Sequence, residues 1–76
     1  MLKKTIWSDK VILYSKELHL ALSINNDEWH IYKNDNLRRS AELVSASLVQ
    51  LINGNNSKEV IPQLEQALRW LKEEIK

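Results

Sequence analysis

Cysteine is absent from this chain of 76 residues, and glycine and proline occur only once each, at Gly54 and Pro62. Without cysteine there are no disulfide bonds and no thiolates for a structural zinc site, and the two histidines show no metal-ligand spacing. With so little glycine, the chain also lacks the turn that cradles a phosphate. We therefore expect one domain over residues 1–76, without a bound metal or cofactor.

Neither sign of charge dominates, because eleven Lys and Arg side chains stand against ten Asp and Glu, for a formal net charge of +1. Such a balance gives no strong attraction to phosphate or anionic lipid, so we do not expect a nucleic-acid partner. No apolar run reaches the roughly 18 residues of a membrane span, and Met1 to Lys4 lead into no signal-peptide hydrophobic region. These absences predict a cytoplasmic protein.

Two segments on either side of Gly54 carry apolar residues at steps of three and four. The first stripe is Leu37, Ala41, Val44, Leu48 and Leu51, and the second is Ile61, Leu64, Leu68, Leu71 and Ile75. This spacing is typical of helices that bury one face, so it predicts helices over about 36–53 and 57–75, paired as a hairpin with both stripes directed inward. Gly54 is suited to end the first helix, and Asn56 or Ser57 to cap the second.

A helix is also predicted over about 5–24, where apolar residues again follow helical spacing. Its stripe is Trp7, Val11, Tyr14, Leu18, Ala21 and Leu22. Ser8 or Thr5 can cap its start, and His19 is expected to point away from the stripe into solvent. The alternative is a strand through residues 11–14, which are β-branched or aromatic.

A short helix is predicted over about 27–33, with Asn26 or Asp27 as its cap. If it continued unbroken into the next helix, Lys33 would lie within the apolar stripe, which is costly. Residues 34–36 offer a fresh cap, so we expect a break or kink there. The predicted fold is therefore all-α, a small bundle of three main helices with one short extra helix.

Trp70 is the residue that the helix pattern explains least, because it lies on the far side of the last helix from the centre of its apolar stripe. Either residues 1–7 cover the indole, or it is free to bind a partner, and tryptophan is a frequent anchor of protein interfaces. We predict a partner-binding surface around it. Its members are Trp70, Gln66, Gln63, Glu73, Arg38 and Arg39.

Arg38 and Arg39 also allow an alternative function, weak nucleic-acid binding together with Lys33 and other nearby lysines. That function needs a basic stripe or stacking aromatics beside the arginines. The simpler interpretation is a solvated helix face on which Arg38 pairs with Glu42.

No catalytic set is visible in the sequence, which lacks a nucleophile with its base and a paired metal motif. Asp27, Glu28 and His30 fall within one turn, but acidic residues at a helix start are explained by the helix dipole. We expect a non-enzymatic protein-interaction module or a small subunit of a larger complex. Its partner would be an unidentified protein or a second copy, for example through Leu43 and Val60.

Three stretches of the chain carry a recognisable pattern. They are Trp29-His30, Leu37-Arg38-Arg39-Ser40-Ala41-Glu42 with its Ala- and Ser-rich continuation to Leu51, and Leu64-Glu65-Gln66-Ala67-Leu68-Arg69-Trp70-Leu71. Together they resemble a family of small uncharacterised proteins from cyanobacteria and plastids. The resemblance spans about residues 27–71. It implies a cyanobacterial cytoplasm or a plastid stroma, and since that family has no established activity, it assigns no functional residue.

Overall fold

The computed structural model describes residues 5–25, 27–54 and 57–73. Within these ranges the chain forms four helices and no strand. They are α1 (Asp9–Leu22), α2 (Trp29–Tyr32), α3 (Asn36–Ile52) and α4 (Ser57–Leu71). The all-α prediction is confirmed, and the alternative strand at residues 11–14 is wrong because that segment lies inside α1.

Three helix ends follow signals that the sequence carries. The side chain of Ser8 caps α1 by accepting a hydrogen bond from the Val11 N–H, at 3.3 Å. Asp35 caps α3 in the same way, since its Oδ1 accepts from the Arg38 N–H at 3.0 Å. Gly54, with φ at 78°, takes the left-handed conformation just after α3 ends. The predicted break between the short helix and α3 is therefore confirmed.

Other helix ends differ from the predictions. Neither Asp27 nor Glu28 caps α2 with its side chain; instead, Asn25 Oδ1 accepts from the Glu28 N–H at 2.9 Å. The proposed caps Asn26 and Asn56 lie outside the described residues. The start of the last helix agrees with the prediction, since α4 begins at Ser57 and includes Pro62.

The three long helices form a single layer with α3 in the middle. α1 packs on one side of α3 and α4 on the other, while α1 and α4 make little or no contact among the described residues. The Cα atoms extend over 38 × 25 × 15 Å. A width of 25 Å accommodates three helices side by side at the usual separation of about 8–10 Å.

The interior of this layer is small and rich in serine. The buried side chains are Ile52, Val60, Ala67, Trp70, Ser15, Ser40, Ser45 and Ser47. Each buried serine hydroxyl donates to a backbone carbonyl three or four residues earlier in its own helix, at 2.7–2.9 Å. The hydroxyls are thus satisfied locally, and the small side chains let neighbouring helices approach closely.

The prediction that the apolar stripes point into the chain is wrong. The sides of α3 and α4 that meet carry Ser40, Ser47 and Ala67, whereas the large apolar residues of both stripes that the structure describes are exposed. The physical reason is that small residues give the closest helix packing, so α4 lies against the serine side of α3. The small residues Ser40 and Ser47 of α3 therefore serve packing within the chain.

Candidate functional site

Each long helix leaves a stripe of large apolar side chains exposed. The exposed fractions of these eleven residues run from 39% to 74%. They are Val11, Tyr14 and Leu18 in α1, Leu37, Val44, Leu48 and Leu51 in α3, and Ile61, Leu64, Leu68 and Leu71 in α4. We call this set the apolar face.

On α3 the hydrogen bonds show which way the stripe points. The Ser45 hydroxyl lies 3.2 Å from His19 Nδ1 on α1, and the Ser47 hydroxyl lies 3.1 Å from Gln63 Oε1 on α4. At about 100° per residue, Leu48 lies between these two directions, about 60° from Ser45 and about 100° from Ser47. Arg39 lies on the other side of α3. The stripe of α3 therefore faces one surface of the layer, and Arg39 faces the opposite one.

The stripes of the two outer helices face the same surface as the stripe of α3. On α4, Leu64 lies about 100° around the helix from Gln63, the residue that faces α3. On α1, Leu18 lies about 100° from His19, but in the opposite rotational sense. α1 and α4 lie on opposite sides of α3 and run in the same direction, antiparallel to it. A stripe displaced clockwise from the α3-facing side of one helix and counter-clockwise on the other therefore points to the same surface of the layer. The eleven side chains thus lie on one surface of the layer, across three helices. Trp7 precedes α1, and helix geometry does not place it on this surface.

The opposite surface is closed by an arginine held between two indole rings. The guanidinium carbon of Arg39 lies 5.0 Å from the ring centroid of Trp29 and 5.6 Å from that of Trp70. Arg39 also forms an ion pair with Glu42, whose other oxygen accepts from the Ile24 N–H at 3.0 Å. Only 16% of the Arg39 side chain is exposed. Cation–π and ionic contacts therefore fix α2 and the loop before it over the α3–α4 pair.

Trp70 is not an accessible anchor, because only 6% of it is exposed. It lies in the α3–α4 seam, and Arg39 covers one face of its ring. Gln63 is partly buried and contacts Ser47 across the same seam. Gln66 and Glu73 are exposed. The six residues of the predicted partner-binding surface do not form one exposed patch, and their binding of a partner stays a prediction.

Arg38 is also engaged within the chain. Its guanidinium carbon lies 5.0 Å from the ring centroid of Tyr32, and Nη2 lies 3.5 Å from the Ala21 carbonyl oxygen. The predicted pairing of Arg38 with Glu42 is wrong, since Arg39, three residues before Glu42, forms that ion pair instead. The two arginines thus hold the helix connections together.

His19 is partly buried against Ser45, so the prediction that it points into solvent is wrong. The physical reason is again that α1 packs through the side beside its apolar stripe. The sequence does contain a signal for the packed sides, namely the small residues Ser40 and Ser47, two helical turns apart on α3, and Ala67 on α4. It is a weaker signal than the apolar periodicity, which drew attention to the exposed surface.

Other kinds of site are not found in the part of the chain that the structure describes. No three His, Asp or Glu side chains come together there as a group that could hold a metal ion. None of the helices in residues 5–25, 27–54 and 57–73 is both long and apolar enough to cross a membrane. The apolar face is the candidate site that the described residues do show.

Comparison with known proteins gives a family and no relative of known activity. No curated protein and no solved structure matches the chain. One family model, described as a family of unknown function, matches residues 4–76. The match is wider than the 27–71 span of the resemblance, and the cyanobacterial or plastid origin stays a prediction. The chain belongs to the DUF6439 family, a family of unknown function.

Proposed function

We propose that this chain is a non-enzymatic interaction module, a small subunit that binds another polypeptide through the apolar face. The observation that carries the proposal is the exposure of eleven large apolar side chains on one surface of a single helical layer. Monomeric globular proteins rarely expose a contiguous apolar patch larger than a few hundred Å². A patch that spans three helices is typical of a protein interface.

The opposite surface supports a protein partner over a nucleic acid. Binding to phosphate needs basic side chains that are free to reach it. Arg39 is enclosed by Trp29, Trp70 and Glu42, and Arg38 lies over the Tyr32 ring. The arginines on which the nucleic-acid alternative depended therefore stabilise the fold.

A charge placed on the apolar face tests the proposal. Leu68 on α4 is 49% exposed on this face, and Leu13 on α1 is 51% exposed but lies about 140° around α1 from Leu18. Leu68→Glu and Leu13→Glu thus introduce the same charge at equal exposure, one on the face and one away from it. Burial of an unpaired carboxylate is costly, so only Leu68→Glu should prevent docking.

The measurement is the native mass of the tagged chain in extracts of the cell from which the sequence comes. We expect the wild-type and Leu13→Glu chains in an assembly heavier than one chain of 8.9 kDa, and the Leu68→Glu chain outside it. Circular dichroism of each purified chain gives its helix content. If all three chains are found alone and equally helical, the proposal is overturned.

A further inference from the structure

We infer that the occupant of the apolar face is a second copy of this chain, so that two three-helix layers pack face to face as a homodimer. The inference rests on the proposed function, because it names the partner of the same surface. Three observations support it: the amount of exposed surface, the size of the interior, and the shape and charge of the face.

The apolar face is large enough for an interface of ordinary size. Its eleven side chains are 39% to 74% exposed, and a fully exposed large side chain presents about 150–200 Å². Together they expose roughly 800–1,100 Å². Each partner in a stable interface of ordinary size buries about 800 Å², so the face is sufficient for one such interface.

The three long helices form only one layer, whereas a helical domain needs two. Small domains are built from two packed layers around one core. Within the described residues the buried apolar side chains are only Ile52, Val60, Ala67 and Trp70, while all eleven members of the apolar face remain exposed. Most of the large apolar side chains can be buried only by a partner that supplies the missing layer.

The shape of the face fits another layer better than a single helix. A helix with its side chains is about 10–12 Å across, so it would cover only part of a surface that is 25 Å wide. A second copy presents a flat surface of equal width with the same three helices. A two-fold axis parallel to α3 would place each α3 against its copy and each α1 against an α4.

The charge of the chain does not oppose self-association. The eleven side chains of the apolar face carry no ionisable group besides the Tyr14 hydroxyl. The net charge of +1 per chain gives only weak repulsion between two copies. Cyclic two-fold dimers are also by far the commonest oligomers, and their interface pairs the same patch on both subunits.

The test is carried out on the purified chain alone, with its mass measured by light scattering at micromolar concentration. We expect twice the 8.9 kDa of one chain for the wild type and for Leu13→Glu. Leu68→Glu should lose the dimer, because the substitution places two unpaired carboxylates in a two-fold interface.

Because Leu68→Glu can also unfold, a second measurement uses the wild-type chain. The midpoint of thermal unfolding rises with chain concentration when unfolding includes dissociation, and it is constant for a monomer. We expect the midpoint to rise when the chain concentration is increased a hundredfold. That increase corresponds to about 2.7 kcal/mol in the free energy of dissociation.

A helical monomer with a constant midpoint, or any mass other than two chains, would overturn the homodimer. If such a monomer still enters a heavier assembly in extracts of its own cell and Leu68→Glu prevents this, the partner is a different polypeptide and only the homodimer fails. If the chain is alone in those extracts as well, the proposed function fails with it.

Discussion

Ser47 on α3 and Gln63 on α4 contact each other across the helical hairpin, with the hydroxyl oxygen 3.1 Å from Oε1. The same hydroxyl lies 2.9 Å from the Leu43 carbonyl oxygen, one turn earlier in α3. Ser47 is 1% exposed, the most completely buried residue that the structure describes. A hydroxymethyl group therefore fills the space between the two helices at this level.

Ser47→Leu should destabilise the chain more than Ser47→Ala. The larger side chain has no space in the seam, and overpacking of this kind costs about 1–3 kcal/mol. Ser47→Ala removes only the hydroxyl and its hydrogen bonds, a loss of about 1 kcal/mol. The free energy of unfolding in urea, compared at one chain concentration, distinguishes the two. Equal values would show that the seam is looser than the structure indicates.

Trp70→Ala should destabilise the chain by about 3–5 kcal/mol, because it empties a buried site and removes one of the two rings that hold Arg39. Trp70→Phe should cost less, since it keeps a ring there and the buried Nε1 of Trp70 has no hydrogen-bond partner among the described residues. Thermal unfolding followed by circular dichroism measures both. An unchanged Trp70→Ala midpoint would place the indole on the surface.

Asp35→Ala should lower the free energy of unfolding by about 1 kcal/mol through loss of the α3 cap. Asp35→Asn keeps an oxygen that can accept from the Arg38 N–H, so it should cost much less. The exposed neighbour Asn34 provides the control, and Asn34→Ala should change stability by less than about 0.5 kcal/mol. Urea unfolding of the three variants orders them, and a cost as large for Asn34 as for Asp35 would contradict the assignment.

Gly54→Ala should destabilise the chain by about 1 kcal/mol, because an alanine is strained at a φ of 78°. Apart from Gly54 and its chain neighbours, no heavy atom of the described residues lies within 4 Å of the position that a Cβ would take, so the expected cost comes from the backbone conformation. Gly54→Asn should cost less than Gly54→Ala, since asparagine tolerates the left-handed conformation better. The reverse order in thermal unfolding would show that the turn adopts another conformation.

Most of the secondary structure could be predicted from the sequence because it depends on local chemistry. Ser8 and Asp35 cap helices through bonds to residues only three positions away, and Gly54 ends α3 through its own backbone freedom. Such signals do not depend on what the helices pack against. All four helices were therefore predicted. The bounds of α3 agree to within one residue, whereas α1, α2 and α4 are shorter than predicted.

The orientation of the helices could not be predicted in the same way, because it depends on which surfaces meet. Periodicity shows that Leu48 and Leu68 lie on apolar stripes, and it does not show whether the partner of a stripe is in the same chain. Ser40 and Ala67 make the actual contact, with the serine hydroxyl 3.2 Å from the Ala67 carbonyl oxygen. Small residues in a helix have many other uses, so their pattern alone does not identify a packed side.

The small interior has a consequence for how the chain reaches its folded form. Among the described residues, four apolar side chains are buried between the helices, so an isolated chain gains little from collapse. If a partner covers the apolar face as proposed, most of the hydrophobic driving force becomes available only on encounter with it, and folding is then a bimolecular process whose rate depends on concentration. A newly synthesised chain would remain open to proteases until that encounter, and its lifetime in the cell would be set by the supply of partner.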